Sequence, residues 1–491
     1  MDKKCGILLP IFSLPTKYGI GSFGKWAYKF VDFLKKAGQS YWQILPLVPT
    51  GYCDSPYQTV CGDAGNPYFI DVEILRDKKL LTYRETESAI DKGDEIDYGR
   101  LYSERYALLR KAYKRFDVNS RAFKAFLKEG EFNDYALFMT LGERFKTDWD
   151  KWPEEFALRD ESALKKFAEN EKTEILFWQF LQFEFRSQYF ALKKYAEKNG
   201  VKIIGDLPLY PSYNSVEVWT NRREFMLGED LRPKKVAGVP PDYFCEDGQL
   251  WGNPVYDYDN MRKNGYAYFK KRIADAKKIY DLVRIDHFRG LDRFWAVDPS
   301  SDTAKHGEWL PAFGREIFRE IGTDRIIAED LGVLDEGVYS LINDLGLPGM
   351  KVLSFAFDSD ERNAYLPWNV TENSVIYTGT HDNDTLVGYF KSLDKAALER
   401  QKAMIKKSLE YLRIYKPLSG VRQITEAVVN IAYASESKIA IIPIQDHLCL
   451  GGEYRINFPG KVGCWKMRIK ESVLTDNLAT AVKRLGKRYG R

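Results

Sequence analysis

Cysteine is scarce in this chain and histidine scarcer: six and four among 491 residues. The cysteines, Cys5, Cys53, Cys61, Cys245, Cys449 and Cys464, are scattered and form no C-x-x-C pair. That excludes a disulfide scaffold and the common zinc modules, and it fits a reducing, cytoplasmic compartment. Neither H-E-x-x-H nor an EF-hand loop occurs, so no metal site is expected. His306, in the polar stretch DTAKHGEW, reads as an exposed loop residue. A G-x-S-x-G elbow and a papain-like cysteine neighbourhood are missing too. No apolar run approaches the ~20 residues of a membrane span. The start, MDKKCGILLPIFSLP, imitates a signal peptide, but Pro10 and Pro15 break its apolar run and no small-residue cleavage site follows. Neither sign of charge dominates: Lys+Arg 74 against Asp+Glu 70, a formal +4. Nucleic-acid and membrane partners are therefore not expected. Oligomeric state is left open.

With hydrophobic residues at 44% and charged residues at 29%, the chain has the composition of a soluble globular protein. It carries 31 Tyr, 29 Phe and 11 Trp, and aromatic rings stack on the apolar C–H faces of sugars as well as filling cores. Eight β-rich apolar runs recur: GILLPI near Ile7, YWQILPL at 41–47, VKIIGDLPL at 201–209, DLVRIDHF at 281–288, RIIAEDLG at 325–332, GMKVLSFAFD at 349–358, SVIYTGTHDND at 374–384 and SKIAIIPIQDHL at 437–448. Strands alternating with helices make an α/β protein, and eight such units are the count of a (β/α)8 TIM barrel. A doubly wound open sheet is the alternative. The spacing is uneven. Residues 72–175 read as a helical insertion, and 210–278 as a second excursion rich in Pro, Gly, Asn and aromatics. At 172–198, Ile175, Phe177, Trp178, Leu181, Phe185, Tyr189 and Leu192 recur in three- and four-residue steps, the pattern of an amphipathic helix. One elaborated catalytic domain over 1–491 is expected. GIGSFG at 19–24 matches G-x-G-x-x-G, but no acid falls about 20 residues later. It reads as a rim loop, and no cofactor is expected.

Five runs end in acids: Asp206, Asp286, the pair Glu329 and Asp330, Asp382, and Asp446. In a barrel all C-terminal strand ends share one face, where active sites lie. An acid there can also merely cap the next helix. Clustered carboxylates with few histidines suit glycosyl transfer: one attacks the anomeric carbon and another, kept protonated by its neighbours, protonates the leaving oxygen.

Longer motifs are more specific. GYCDSPYQ (51–58), GNPYFID (65–71), IGDLPLY with VEVWTN (204–221), VAGVPPDYFCEDGQLWGNPVYD (236–257), RIDHFRG, AEDLG and YTGTHDNDT occur in order from residue 6 to about 469. Together they resemble the 4-α-glucanotransferases, the amylomaltase or disproportionating-enzyme family (glycoside hydrolase family 77). The chain begins at the barrel, as in the family's shorter form. The resemblance implies that Asp286 is the nucleophile, Glu329 the general acid/base and Asp382 the third carboxylate, which holds sugar hydroxyls. It implies that Arg284 keeps Asp286 ionised and that His381 donates to the reacting sugar. Trp251, Tyr52 and Phe355 match sugar-contacting aromatics, while Ser55, Tyr57, Asp242, Asn253 and Asn457 match polar pocket residues. Tyr98 would guide the chain. Asp206 is an architectural or a binding residue, and Asp446 with His447 reads as structural.

The implied partners are a maltooligosaccharide or glucan donor and a glucose or glucan acceptor, joined by retaining double displacement. Residues 236–257 would form a flexible lid. Departures from the family pattern are Lys461, Cys464 and the pair Arg222 and Arg223, and they bear on acceptor preference and donor length. A hydrolase on the same barrel and a catalytically dead glucan-binding barrel are the rival readings. Intact Asp286, Glu329 and Asp382 argue against the second.

Overall fold

A computed structural model describes residues 3–491 apart from 92, 242–245 and 333; the side chain of Tyr52 also lies outside the description. The described strands are β1 (Lys4–Leu8), β2 (Tyr41–Gln43), β3 (Lys202–Leu207), β4 (Val236–Val239), β5 (Gln249–Pro254), β6 (Leu282–Ile285), β7 (Arg293–Val297), β8 (Gly307–Pro311), β9 (Ile326–Ala328), β10 (Gly349–Val352), β11 (Ser374–Tyr377) and β12 (Ile439–Pro443). Eight of them, in the order β1-β12-β11-β10-β9-β6-β3-β2, close into a parallel barrel. These are the eight apolar runs of the sequence, and the (β/α)8 architecture excludes the open sheet. The strands are shorter than the runs. β2, for instance, ends at Gln43; the Ile44 amide still donates to Ile204 O at 2.9 Å, and the remaining LPL lies beyond the strand.

Alternation across each strand separates barrel lumen from helix layer. On β3 and β6, Asp206 and Arg284 face the lumen and sit side by side in register. Ile204, Val283 and Ile285 are fully or nearly fully buried. Register on the next pair matches Ile285 with Ala328, so the residues that follow, Asp286 and Glu329, leave adjacent strands at one level.

Helices occupy most of the chain between β2 and β3. The last, Lys172–Lys198, buries Phe177, Trp178, Leu181, Phe185, Tyr189 and Leu192, the face that the spacing predicts. The Tyr189 hydroxyl donates to the Ile279 carbonyl at 2.8 Å, tying this helix to the end of helix Ala267–Ile279. The second excursion is not irregular throughout. β4 and β5 form an antiparallel pair, and β7 and β8, which follow β6, complete a sheet ordered β5-β4-β7-β8. This sheet therefore draws on segments from both sides of β6. The described arms of 236–257, β4 and β5, are ladder-bonded to each other, where a flexible lid was expected.

Glycines mark two close approaches. In GIGSFG, a Cβ on Gly21 would stand 2.0 Å from the Ile11 carbonyl oxygen, so this loop is shaped by backbone packing. In β3, a Cβ on Gly205 would meet the Tyr280 ring at 2.1 Å. Gly205→Ala therefore must shift either Tyr280 or the strand that carries Asp206. A loss of about 1–3 kcal/mol in urea-unfolding stability is expected; a variant as stable as the parent would contradict this packing.

Candidate active site

Backbone hydrogen bonds continue the barrel ladder one step past the strand ends. The Asp286 amide donates to Leu207 O (3.0 Å), the Glu329 amide to Ile285 O (3.1 Å) and the Phe288 amide to Glu329 O (3.2 Å). The two acids thus sit on backbone as fixed as the strands themselves. The chain then turns through His287, a non-glycine residue at φ 49°, in the left-handed region. That costly conformation aims the His287 amide at the Glu329 carboxyl: the backbone N–H donates to Oε2 at 2.7 Å. The Leu331 amide holds the other oxygen at 2.9 Å.

Exposure divides the six strand-end acids into two sets. Asp206, Asp330 and Asp446 are buried, whereas Asp286, Glu329 and Asp382 are half-buried and open to the cleft. The buried three are spent on protein. Asp330 pairs with Lys351 at 3.3 Å. Asp446 accepts the Thr378 hydroxyl at 2.5 Å and the Leu386 amide at 2.9 Å, closing the turn that carries His381 and Asp382. Asp206 receives Arg284 Nη1 on both oxygens (2.7 and 2.6 Å) and the Tyr57 hydroxyl on one (2.7 Å). The same Nη1 lies 3.0 Å from Asp286 Oδ1. Of the two readings of Asp206, architectural or binding, these contacts favour the first: its oxygens face Arg284 and Tyr57.

Across the barrel mouth, Asp382 accepts from Asn457 Nδ2 at 2.6 Å and lies 3.3 Å from His381 Nε2. The His381 ring stacks on Tyr57 at 5.2 Å with 12° between the planes. Tyr57 therefore touches both halves of the site, its hydroxyl on Asp206 and its ring on His381.

Desolvation pushes the Asp286 and Glu329 carboxyls up from the usual carboxylate range. Arg284 opposes this at both, while Asp206, Glu329 and Asp382 add to it at Asp286. Burial also works against the Arg284 charge, but Asp206 and Asp286 outweigh it and hold its pKa above the ordinary value. Desolvation lowers His381, and lowers His287 to about 3, so both rings are neutral.

Other sequence candidates fall into place around this core. Trp251 is half-buried on β5 and meets the His287 ring edge-on at 4.6 Å. Asn253 is buried, accepting from Gln58 and donating to Pro211 O at 2.9 Å. Ser55 caps the turn before Tyr57, accepting its amide at 3.2 Å. Phe355 lies half-buried in a helical turn past β10, not in the strand. Tyr98 is corrected from a chain-guiding surface to a support: it is 6% exposed and its hydroxyl donates to Trp465 O at 2.9 Å. Asp242 and the Tyr52 side chain lie outside the described residues. Arg222 donates to Ala157 O and Leu158 O, holding the helical insertion. Lys461 stands 5.1 Å over the exposed Phe458 ring, and the Cys464 sulfur accepts the Phe458 amide at 3.3 Å.

Sequence reasoning missed Gln58, which bridges to β5, and Arg455, which donates to Asp382 O and Asn457 O at 2.6 Å each. It also missed Trp465, whose ring lies 5.9 Å from His381. Gln58 adjoins Tyr57 in GYCDSPYQ and Arg455 stands two residues before Asn457, so adjacency to a motif residue was the available signal. His287 braces Glu329 through its amide, and Arg289 pairs with Asp335 at 2.9 Å. No cluster of three or more His, Cys, Asp or Glu suited to a metal occurs among the described residues. No described helix is long and apolar enough to cross a membrane.

A parallel eight-stranded barrel with three half-buried carboxyls and an arginine at its C-terminal mouth has the make-up of a barrel enzyme and is compatible with the carboxylate chemistry of glycoside hydrolases. Comparison narrows the class. The 4-alpha-glucanotransferase model, glycoside hydrolase family 77, matches residues 9–475, and the chain belongs to that family. It is 43% identical to a 4-alpha-glucanotransferase of Clostridium butyricum, over 98% of this chain and 99% of that protein. Identity to a Thermus thermophilus 4-alpha-glucanotransferase is 40%, over 96% of this chain and 95% of the relative. The solved amylomaltase of Streptococcus agalactiae in complex with acarbose superposes with a TM-score of 0.94 at 37% identity, covering 100% of both chains.

Asp446 offers a test of the turn that carries Asp382. Burial raises its pKa from 3.8 to about 6. Because the folded value lies above the unfolded one, stability is greatest when Asp446 is protonated and falls as pH rises through that window. Asp446→Asn keeps an oxygen for the Leu386 amide and removes the buried charge. Its Tm is expected to exceed the parent's at about pH 8, by the equivalent of up to about 3 kcal/mol, with the gap closing near pH 4. A gap independent of pH would show that Asp446 carries no such penalty.

Proposed function

We propose that the chain performs its family's reaction with Asp286 as nucleophile, Glu329 as general acid/base and Asp382 as the carboxylate that orients sugar hydroxyls. The activity is that of a 4-α-glucanotransferase: a segment of an α-1,4-glucan is transferred to the 4-position of glucose or another glucan. The observation that carries the residue assignment is the shared guanidinium. Arg284 contacts Asp286 at 3.0 Å but forms no ion pair with Glu329 among those described. Two coupled carboxyls in a desolvated cleft hold one proton between them more readily than two charges. In this reading the arginine holds the charge on Asp286, which leaves the shared proton to Glu329 against the pull of the two amides on its oxygens.

In the first step Asp286 Oδ attacks the anomeric carbon while Glu329 gives its proton to the leaving glycosidic oxygen. A covalent glycosyl ester forms and the shortened glucan departs. In the second step Glu329, now ionised, takes the proton of an incoming 4-hydroxyl, whose oxygen displaces Asp286 and restores the original configuration. Neutral His381, beside Asp382 and stacked on Tyr57, supplies a hydrogen bond without competing for charge. Water in place of the glucan hydroxyl would give hydrolysis. The reducing cytoplasm is the compartment that suits the five described free thiols.

Incubation with maltotriose tests the reading. A ladder of longer maltooligosaccharides with free glucose is expected; glucose and maltose alone would overturn transfer. Glu329→Gln should lower turnover by about 100-fold or more and abolish the basic limb of the pH profile. Unchanged turnover would remove Glu329 from its role.

A further inference from the structure

Gln58 follows Tyr57 in the turn 51–58, and the two side chains serve different parts of the molecule. Tyr57 reaches Asp206 and His381. Gln58 reaches the excursion that follows β3. Its Nε2 donates to Asn253 Oδ1 at 3.1 Å and to Trp251 O at 3.4 Å, both on β5. Its Oε1 accepts the Ser212 hydroxyl at 2.9 Å. One amide thus joins three separate segments. The turn that presents it is tight: a Cβ on Gly51 would lie 2.0 Å from the Gln58 carbonyl oxygen, and the Gln58 amide donates to Ser55 O at 3.3 Å.

What hangs on this bridge is Trp251. Its ring packs edge-on against His287, whose backbone amide holds Glu329. β5 itself is an outer strand of the small sheet, paired only with β4 among the described strands. The ladder fixes one edge of β5; Gln58 fixes Trp251 and Asn253 from the catalytic side. We infer that Gln58 is a positioning residue that docks the hairpin on the nucleophile's turn and thereby sets how often the glycosyl intermediate goes to a glucan acceptor instead of water. The inference rests on the glucanotransferase reading. The physical reason is the donor–acceptor pattern: β5 presents two oxygens to Gln58, and only an N–H donor of this length satisfies both while accepting from Ser212.

Glutamate at this position has the same shape and no donor, so it would face two oxygens with a charge. Methionine has similar length and neither donor nor acceptor. Purified Gln58→Glu and Gln58→Met proteins, checked for parental Tm within a few degrees, are compared with the parent on maltotriose. Total cleavage is read from the first released glucose and maltose, less one for each hydrolysis, which releases both. Hydrolysis is read from new reducing ends, because transfer conserves their number and each hydrolysis adds one. The expected result is a fraction of cleavage ending in water that rises about fivefold or more in both variants, with the apparent KM for added glucose as acceptor raised and total cleavage changed less. Unaltered partition in two folded variants would overturn the inference. So would an equal fall in transfer and hydrolysis, which marks a role in fold alone. If the parent itself gives no ladder, the glucanotransferase reading fails first, and Gln58 fails with it.

Discussion

The site depends on one buried ion pair. Arg284 and Asp206 face each other across β3 and β6 inside the barrel, at 3% and 2% exposure. Removing two charges from water is expensive, and such a pair seldom adds net stability. Here the cost is offset because Asp206 accepts from both Arg284 and Tyr57 and because the guanidinium has a second partner in Asp286. Arg284 Nη1 touches both Asp206 oxygens and Asp286. Asp206 in turn receives Tyr57, and Tyr57 stacks on His381 beside Asp382. Orientation passes from a pair in the barrel lumen to acids on opposite sides of its mouth through contacts that leave little freedom.

This arrangement explains the division among the acids. A carboxyl meant to act on substrate must keep a free face in the cleft, and one meant to hold the scaffold must not. Asp286, Glu329 and Asp382 keep a free face; Asp206, Asp330 and Asp446 are enclosed and saturated. The enclosed acids serve the open ones. Asp206 steers the arginine of Asp286, and Asp446 closes the turn of Asp382. The left-handed backbone of His287 belongs to the same logic, since strain at that residue delivers an amide to Glu329.

Most of the fold was legible because parallel barrel strands, buried on both faces, appear as apolar runs bounded by polar turns. All eight were readable, as was the apolar face of helix Lys172–Lys198. The sheet of β4, β5, β7 and β8 was not. RFWAV and GEWLP are short; they pair with each other, but RFWAV also pairs with β4 on the far side of β6, so local pattern carries no sign of the whole sheet. Ordered motifs brought the strand-end carboxylates into view. The roles of Tyr98, Asp206 and Arg222 were misjudged or left open because motif matching reports which residues recur and not which way they face.

The sequence by itself determined the barrel, the family and the identity of the acids at the strand ends, because hydrophobic periodicity and motif order are local properties of a chain. Tertiary structure alone decided which acids remain partly exposed, which carboxyl keeps the arginine and which side chain bridges the turn 51–58 to β5. Those depend on register between strands far apart in sequence and on the depth at which a carboxyl loses its water. Neither quantity is written in any single stretch of residues.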